Sequence, residues 1–169
     1  MVKHYTDQDL AETLKRLEII VDTREQKNTH ITSFLSGKNV PCVSRKLDIG
    51  DYSCQLDGMT FERDFAVERK ASLNELCGNF TTERVRFEDE FIRAKAFGTK
   101  VFLVVENASW QDIYSHNYSS KLNEKALLAS LFAWQVRYNV TVILCDKGNS
   151  PKMIYGLLWY AAREKLMGG

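Results

Sequence analysis

Ala66-Val67-Glu68-Arg69-Lys70, continuing an extended segment that starts at Asp64 and follows Gly50-Asp51-Tyr52 in the chain, organises everything around it. Side chains on a strand alternate faces with period two, so Glu68 and Lys70 project from one side while Phe65 and Val67 project from the other. The apolar side is free to be buried while the charged side works. Asp51 opens the preceding strand, over 51–56, and Asp57-Gly58 offers a hairpin turn between the extended runs. The Asp51 carboxylate is therefore expected beside Glu68.

Two carboxylates and an ammonium in one place suit hydrolysis of a phosphate diester. Oxygen ligands hold a hard divalent ion such as Mg²⁺ or Mn²⁺ and leave positions for water and a non-bridging phosphate oxygen. A lysine beside them positions the attacking water or offsets charge that develops on the phosphate. Spacing alone does not decide the matter. With 27% of residues charged, an acid followed by Glu-x-Lys is common, and a solvated strand face of Glu/Lys pairs is the plainer alternative.

The 169 residues suffice for one hydrophobic core, and 44% apolar content argues against disorder. Two prolines and no Gly/Ser-rich linker or repeat leave a single domain over 1–169: an N-terminal helical extension over 1–17, a core over 18–146 and a C-terminal helix over 150–166. No apolar segment approaches the roughly 20 residues of a membrane span, and the first residues, from Met1 to Asp7, lack the apolar core of a signal peptide. Cys42, Cys54, Cys77 and Cys145 form no Cys-x-x-Cys pair, and His4, His30 and His116 are scattered, so zinc spacing is absent. Reduced thiols in an intracellular protein are expected, in the cytoplasm of a prokaryote or virus-infected cell or in a eukaryotic nucleus. A formal charge of +1 does not by itself indicate nucleic acid. Arg63, Arg69, Lys70, Arg84, Arg86, Arg93, Lys95 and Lys100 do cluster in the middle third, as a basic patch or an ordinary mixed surface. Gly37, Gly50 and Gly58 are isolated, which disfavours a nucleotide-cradling loop.

Along the chain, a capping signal over 6–9 precedes Leu10, Leu14 and Leu17 on one helical face. A strand over 18–21 ends at Asp22, a helix over 29–36 stops near Gly37, and a second strand spans 43–47. Ser72 and Glu75 form a capping box for a short helix through Cys77. The next helix, over 82–97, offers Val85, Phe87, Phe91 and Ala94 for burial and ends at Gly98. Near its start Arg84 meets phosphate or joins a first-turn ion pair. Five apolar residues over 101–105 predict a central strand covered on both faces, with Glu106 at its end either touching the site or, as is usual for an acid there, solvated. A helix over 122–138 presents Leu127, Leu131, Trp134 and Tyr138, and a further strand spans 140–144. Ser150 caps the last helix with Pro151 at its first position, turning Ile154, Leu157, Leu158 and Ala161 inward. Strands interleaved with helices imply an α/β layered fold.

Ile19-Ile20-Val21-Asp22-Thr23-Arg24-Glu25, Leu47-Asp48-Ile49-Gly50-Asp51-Tyr52 and Val67-Glu68-Arg69-Lys70 closely resemble, in order and spacing, the nuclease domain of the XPF-type structure-specific endonucleases. Arg84 and the strand before Glu106 continue the resemblance, which covers about 18–146. It implies a restriction-endonuclease-like fold, a central mixed β-sheet flanked by helices. It also implies a metal-dependent DNA endonuclease of repair or recombination that cuts branched, flap or junction DNA. By the same resemblance, Asp51, Glu68 and the backbone carbonyl of Arg69 hold the metal, and Asp22 supports it directly or through water. Lys70 aids the attacking water, while Arg24, Arg69 and Arg84 contact phosphate. The family word continues Glu-Arg-Lys-x-x-x-Asp, whereas Asn74 stands in the last place here. It keeps an oxygen, loses the charge, and is expected to support the ligands or the fold.

The family's nuclease domains pair through late helices, which makes Trp134, Tyr155 and Trp159 candidates for a homodimer contact, with the monomer core as the alternative. The tandem helix-hairpin-helix module of the family has no counterpart before Gly169, and Met1 favours a stand-alone protein over an excised domain. The alternative function is a non-catalytic module that binds DNA or a partner on the same scaffold. Such a module would be expected to lose Asp51, Glu68 and Lys70, and all three are present.

Overall fold

The computed structural model describes residues 6–168, so residues 1–5, with His4 and the start of the expected helical extension, and Gly169 lie outside the described residues. Helix α1 (Asp7–Leu14) has a reciprocal cap in which Thr6 accepts from the Asp9 amide and the Asp9 carboxylate accepts from the Thr6 amide. Then come β1 (Leu17–Val21), α2 (Thr29–Gly37), the short β2 (Cys42–Ser44), β3 (Tyr52–Leu56) and β4 (Met59–Thr60). β5 (Phe65–Lys70) carries the central motif and leads straight into α3 (Leu73–Phe80) and α4 (Arg84–Phe97). β6 (Lys100–Glu106), α5 (Trp110–Tyr114), α6 (Glu124–Tyr138), β7 (Val140–Cys145) and α7 (Ser150–Leu166) follow.

Seven strands form one mixed sheet in the order β2-β1-β3-β5-β6-β7, with β4 bonded to β3. β3 runs antiparallel to β1 and β5, whereas β5, β6 and β7 are mutually parallel. Asp57 (φ 50°) and Gly58 (φ 84°) take left-handed backbone at the β3–β4 turn, as an Asp-Gly hairpin requires. β3 and β5 share a single registered pair, Tyr52 with Val67, so the strands part beside Asp51 and Glu68.

The alternation of β5 is what divides the interior. Phe65 and Val67 enter the apolar layer beneath α1, α2 and α7, with Leu10, Ile31, Leu35, Ile154 and Leu158. Ala66 faces the opposite layer, with Leu76, Phe87, Phe91, Leu131 and Trp134 from α3, α4 and α6. Burying each such Leu or Phe stabilises by about 1.5–3 kcal/mol, so both helical layers are held to the sheet. All six residues of β5 are buried, Glu68 and Lys70 included, which corrects the solvated-face alternative.

Some local expectations are corrected as well. Val85 is 77% exposed, because α4 starts only at Arg84 and its inward stripe is Phe87, Phe91 and Ala94. The strand expected over 43–47 shortens to β2, since the Leu47 amide leaves the ladder to donate to the Asp22 carboxylate. Ser72 accepts from the Glu75 amide, but Glu75 accepts from the Ala71 amide rather than closing the box. Ser150 does not cap α7, because its hydroxyl turns inward to Glu106. Trp134 is 2% exposed among the rings of Phe80, Phe87, Phe91 and Tyr138, so it packs the core rather than a partner. Among the described residues no helix is long and apolar enough to cross a membrane.

Candidate active site

Gly50 sets the geometry. Its φ is 73°, and a Cβ there would lie 2.7 Å from the Val67 carbonyl oxygen, so only glycine fits. This approach lets the Asp51 amide donate to the Val67 carbonyl at 2.8 Å, while the Asp51 carboxylate accepts from the Arg69 amide at 2.8 Å. The N–H and C=O of one strand residue point to the same side, so the Arg69 carbonyl also faces the gap where β3 departs. On the covered face of β5, Lys70 Nζ lies 2.7 Å from Glu68 Oε1 and 3.9 Å from the Glu75 carboxylate.

The electrostatics match this crowding. Burial foremost, with Glu25 and Glu90 adding to it, pushes the Asp51 carboxyl up to about 7 against the Arg69 amide and Lys70. Burial and then the neighbouring Asp51 hold the Glu68 carboxyl well above the ordinary carboxylate range. Burial acts to lower Lys70, but Glu68 outweighs it and the ammonium holds its proton more tightly than usual. Asp51 Oδ1 and Glu68 Oε2 accept no hydrogen bond among the described residues. No three His, Cys, Asp or Glu side chains among the described residues gather closely enough to hold an ion by themselves. Two unpaired carboxylate oxygens and a carbonyl nevertheless fit a hard divalent ion, which keeps several of its waters.

The remaining expected residues divide into those near the cleft and those turned from it. Asp22 is 1% exposed and accepts four bonds, from the Arg24 amide, Nε and Nη2 and from the Leu47 amide. Burial would raise its carboxyl, but the Arg24 and Leu47 bonds outweigh it and lower the carboxyl, and every acceptor site is used. Arg24 is thereby fixed at the rim with 64% of its side chain exposed. The Arg69 side chain, by contrast, is 5% exposed and pairs on the other face of β5 with Glu25 at 2.8 Å and Glu106 at 2.9 Å. Its guanidinium does not reach a phosphate at the surface. Arg84 lies in an adjoining hollow, bonded weakly to the Phe80 carbonyl and Ser130 and 3.9 Å from Glu88.

Glu68 and Lys70 open into a cleft of about 280 Å³ shared with Arg24, Asn79, Arg86, Asp89, Glu90 and Arg93. A larger hollow of about 480 Å³ on α7, around Met153 and Tyr160, is mainly apolar and lacks such a gathering of charge. Sequence reasoning missed Glu90 and Asn79 and placed Arg86 and Arg93 only in a mid-chain basic cluster, without a site role. Arg86, Glu90 and Arg93 recur at helical spacing, a signal that was available in α4. Asn79 gave none. Asn74 turns away, its Oδ1 accepting from the Ser119 and Ser120 amides, while Glu75 brings a carboxylate toward Lys70.

A mixed sheet covered on both faces, with paired acids where β3 and β5 separate, is a restriction-endonuclease-like fold. Structures of XPF from Aeropyrum pernix share it, at TM-score 0.63 and 23% identity over 88% of this chain and 63% of that one. The XPF from Aeropyrum pernix in complex with DNA matches at TM-score 0.66 and 22% identity, over 88% of this chain and 66% of that one. This chain thus spans just under two thirds of those relatives. The ERCC4 domain model matches residues 21–152, and the chain belongs to the ERCC4 domain family. No curated protein matches it.

Proposed function

We propose that this domain is a divalent-metal-dependent DNA endonuclease acting on branched, flap or junction structures. The observation that supports this most is the meeting of Asp51, Glu68 and Lys70 where β3 leaves β5, with one oxygen of each carboxylate unpaired. Asp51, Glu68 and the Arg69 carbonyl would hold Mg²⁺ or Mn²⁺. Once bound, such an ion supplies Lewis acidity and lowers the pKa of a water molecule.

Lys70 stays protonated beside Glu68, and its ammonium offsets charge that gathers on the phosphate. Asp22 acts through Arg24, holding the guanidinium at the rim with Nη1 left for a phosphate oxygen. Arg86 and Arg93 extend that basic rim, and Arg84 adds a contact beside it. The solved XPF complex supports DNA as the partner. A module that only binds has no evident use for two covered carboxylates that resist ionisation. An intracellular setting fits the four unpaired cysteines. Pairing of two copies would fall to Tyr155 and Trp159 on α7, and a monomer at high micromolar concentration in sedimentation removes it.

Labelled flap, fork and four-way junction DNA with Mg²⁺ or Mn²⁺ provides the test. Cleavage is expected, and Glu68→Ala should slow it roughly a hundredfold or more, since a bound ion contributes several kcal/mol. No cleavage of any substrate, or equal cleavage by Glu68→Ala, defeats the proposal.

A further inference from the structure

β3 and β5 share one registered pair, so beyond Tyr52 and Val67 no ladder joins the strand that starts beside Asp51 to the strand that carries Glu68 and Lys70. One side of α4 touches both. Phe87 and Glu90 stand three residues apart, hence on one side of the helix, and both line the cleft. The Phe87 ring is 4% exposed, and Lys70 Nζ lies 4.7 Å from its centre. Phe80, Phe91 and Trp134 surround that ring with centroids 5.9, 4.9 and 5.3 Å away, so the core fixes its place. Glu90 reaches the other strand's approach, accepting from the Gly50 amide at 2.6 Å through Oε1.

Each contact acts on a group that the reaction needs in one place. The Lys70 ammonium rides on a flexible four-carbon stem, and the Glu68 and Glu75 carboxylates engage it at 2.7 and 3.9 Å. A fixed ring face attracts the cation from a further direction, most strongly where water is scarce. Gly50 is buried ahead of β3, and its amide bonds to Glu90 rather than to a strand. At the other end of the same turn the Leu47 amide goes to Asp22. Two carboxylates from distant segments therefore clamp the residues that deliver Asp51 to β5. We propose that Phe87 and Glu90 are positioning residues and that α4 braces the split between β3 and β5: Phe87 orients the Lys70 ammonium, while Glu90 fixes the Gly50 turn and through it the Asp51 carboxylate. The proposal rests on the metal-dependent reading of this site.

The two contacts predict different losses. Calorimetric titration of the whole chain with Mn²⁺, without DNA, reads the placing of Asp51. Glu90→Ala should weaken binding about tenfold, whereas Glu90→Gln, which keeps an acceptor for the Gly50 amide, should stay within about threefold of wild type. Kinetics on whichever labelled flap, fork or junction DNA the wild type cleaves fastest read the placing of Lys70. Phe87→Leu should lower kcat about tenfold with KM and Mn²⁺ affinity unchanged. Phe91→Leu is the control for lost core packing, because Phe91 packs on the same Trp134 but lends no ring face to Lys70. It should keep wild-type kcat and Mn²⁺ affinity. Unaltered Mn²⁺ binding in Glu90→Ala, an equal loss in Glu90→Gln, or equal kcat in Phe87→Leu and Phe91→Leu overturns the inference, and loss of Mn²⁺ binding in Glu68→Gln then leaves the nuclease reading standing. Wild-type Mn²⁺ binding in Glu68→Gln, or no cleavage by the wild type, overturns both. Should Glu90→Ala fail to fold, Phe87→Leu against Phe91→Leu decides alone.

Discussion

Glu106 ends β6 with none of its surface in water. Its carboxylate accepts from the Ser150 hydroxyl, lies 2.6 Å from His30 Nε2 and pairs with Arg69 at 2.9 Å. Burial would raise the carboxyl, but Ser150, His30 and Arg69 together hold it below the ordinary value of 4.5. A carboxylate depressed in the folded state contributes stability above its ordinary pKa and loses it as pH falls through the folded value. Unfolding free energy should therefore drop as pH falls below about 4.5, and less steeply in Glu106→Gln, which should also cost about 3–5 kcal/mol at neutral pH. Chemical denaturation of both proteins from pH 7 to pH 3 checks this, and parallel slopes would refute it. The sequence alone pointed to a solvated side chain, because an acid at a strand end is usually exposed. The partners that override that tendency lie as far as 76 residues away, where no local pattern marks them. Asp51, Glu68 and Lys70 were legible for the opposite reason, since a period of two and one glycine turn suffice to bring them together.

At the scale of elements, β5 and α4 were readable from alternation and helical spacing, and their ends were less so. Where α3 begins, the carboxylate of the family word is replaced by Asn74, whose Oδ1 accepts from the Ser119 and Ser120 amides at 2.8 and 3.0 Å. Asn74 thus ties α3 to the loop between α5 and α6. Glu75, one residue on, places its carboxylate 3.9 Å from Lys70 Nζ. An aspartate at 74 would face the same two amides and keep the same bonds. Asn74→Asp should accordingly leave stability within about 0.5 kcal/mol of wild type and change cleavage little. Asn74→Ala should speed amide exchange at Ser119 and Ser120 roughly tenfold, the loss of about one hydrogen bond's worth of protection. A tenfold rise in cleavage by Asn74→Asp would show that the missing charge belongs to the site after all. Helical pattern could not reveal the clamp, because the loop it grips has no period of its own.

Over the whole molecule, the layered α/β class followed from the interleaving of strands and helices, whereas the order of strands depended on pairings between distant segments such as β1 with β2 and β3. Charge follows the same division. The chain carries +1 overall, and its cleft places Arg24, Arg86 and Arg93 around the acids rather than on a broad basic face. Affinity for DNA should then come from few phosphates, each releasing about 0.9 counterion on a duplex. With about four contacts, Arg84 included, log K against log salt should have a slope of about −3.6 for junction DNA bound by the Glu68→Ala protein, which avoids cleavage during the measurement. Arg24→Ala and Arg93→Ala should each reduce the magnitude of that slope by about 1. Lysines beyond the cleft, such as Lys38 and Lys147, should not change it. Fluorescence anisotropy across a salt series measures these slopes. A value near −8, or one unaltered by Arg24→Ala, would mean that DNA lies across a wider surface than this cleft and its rim.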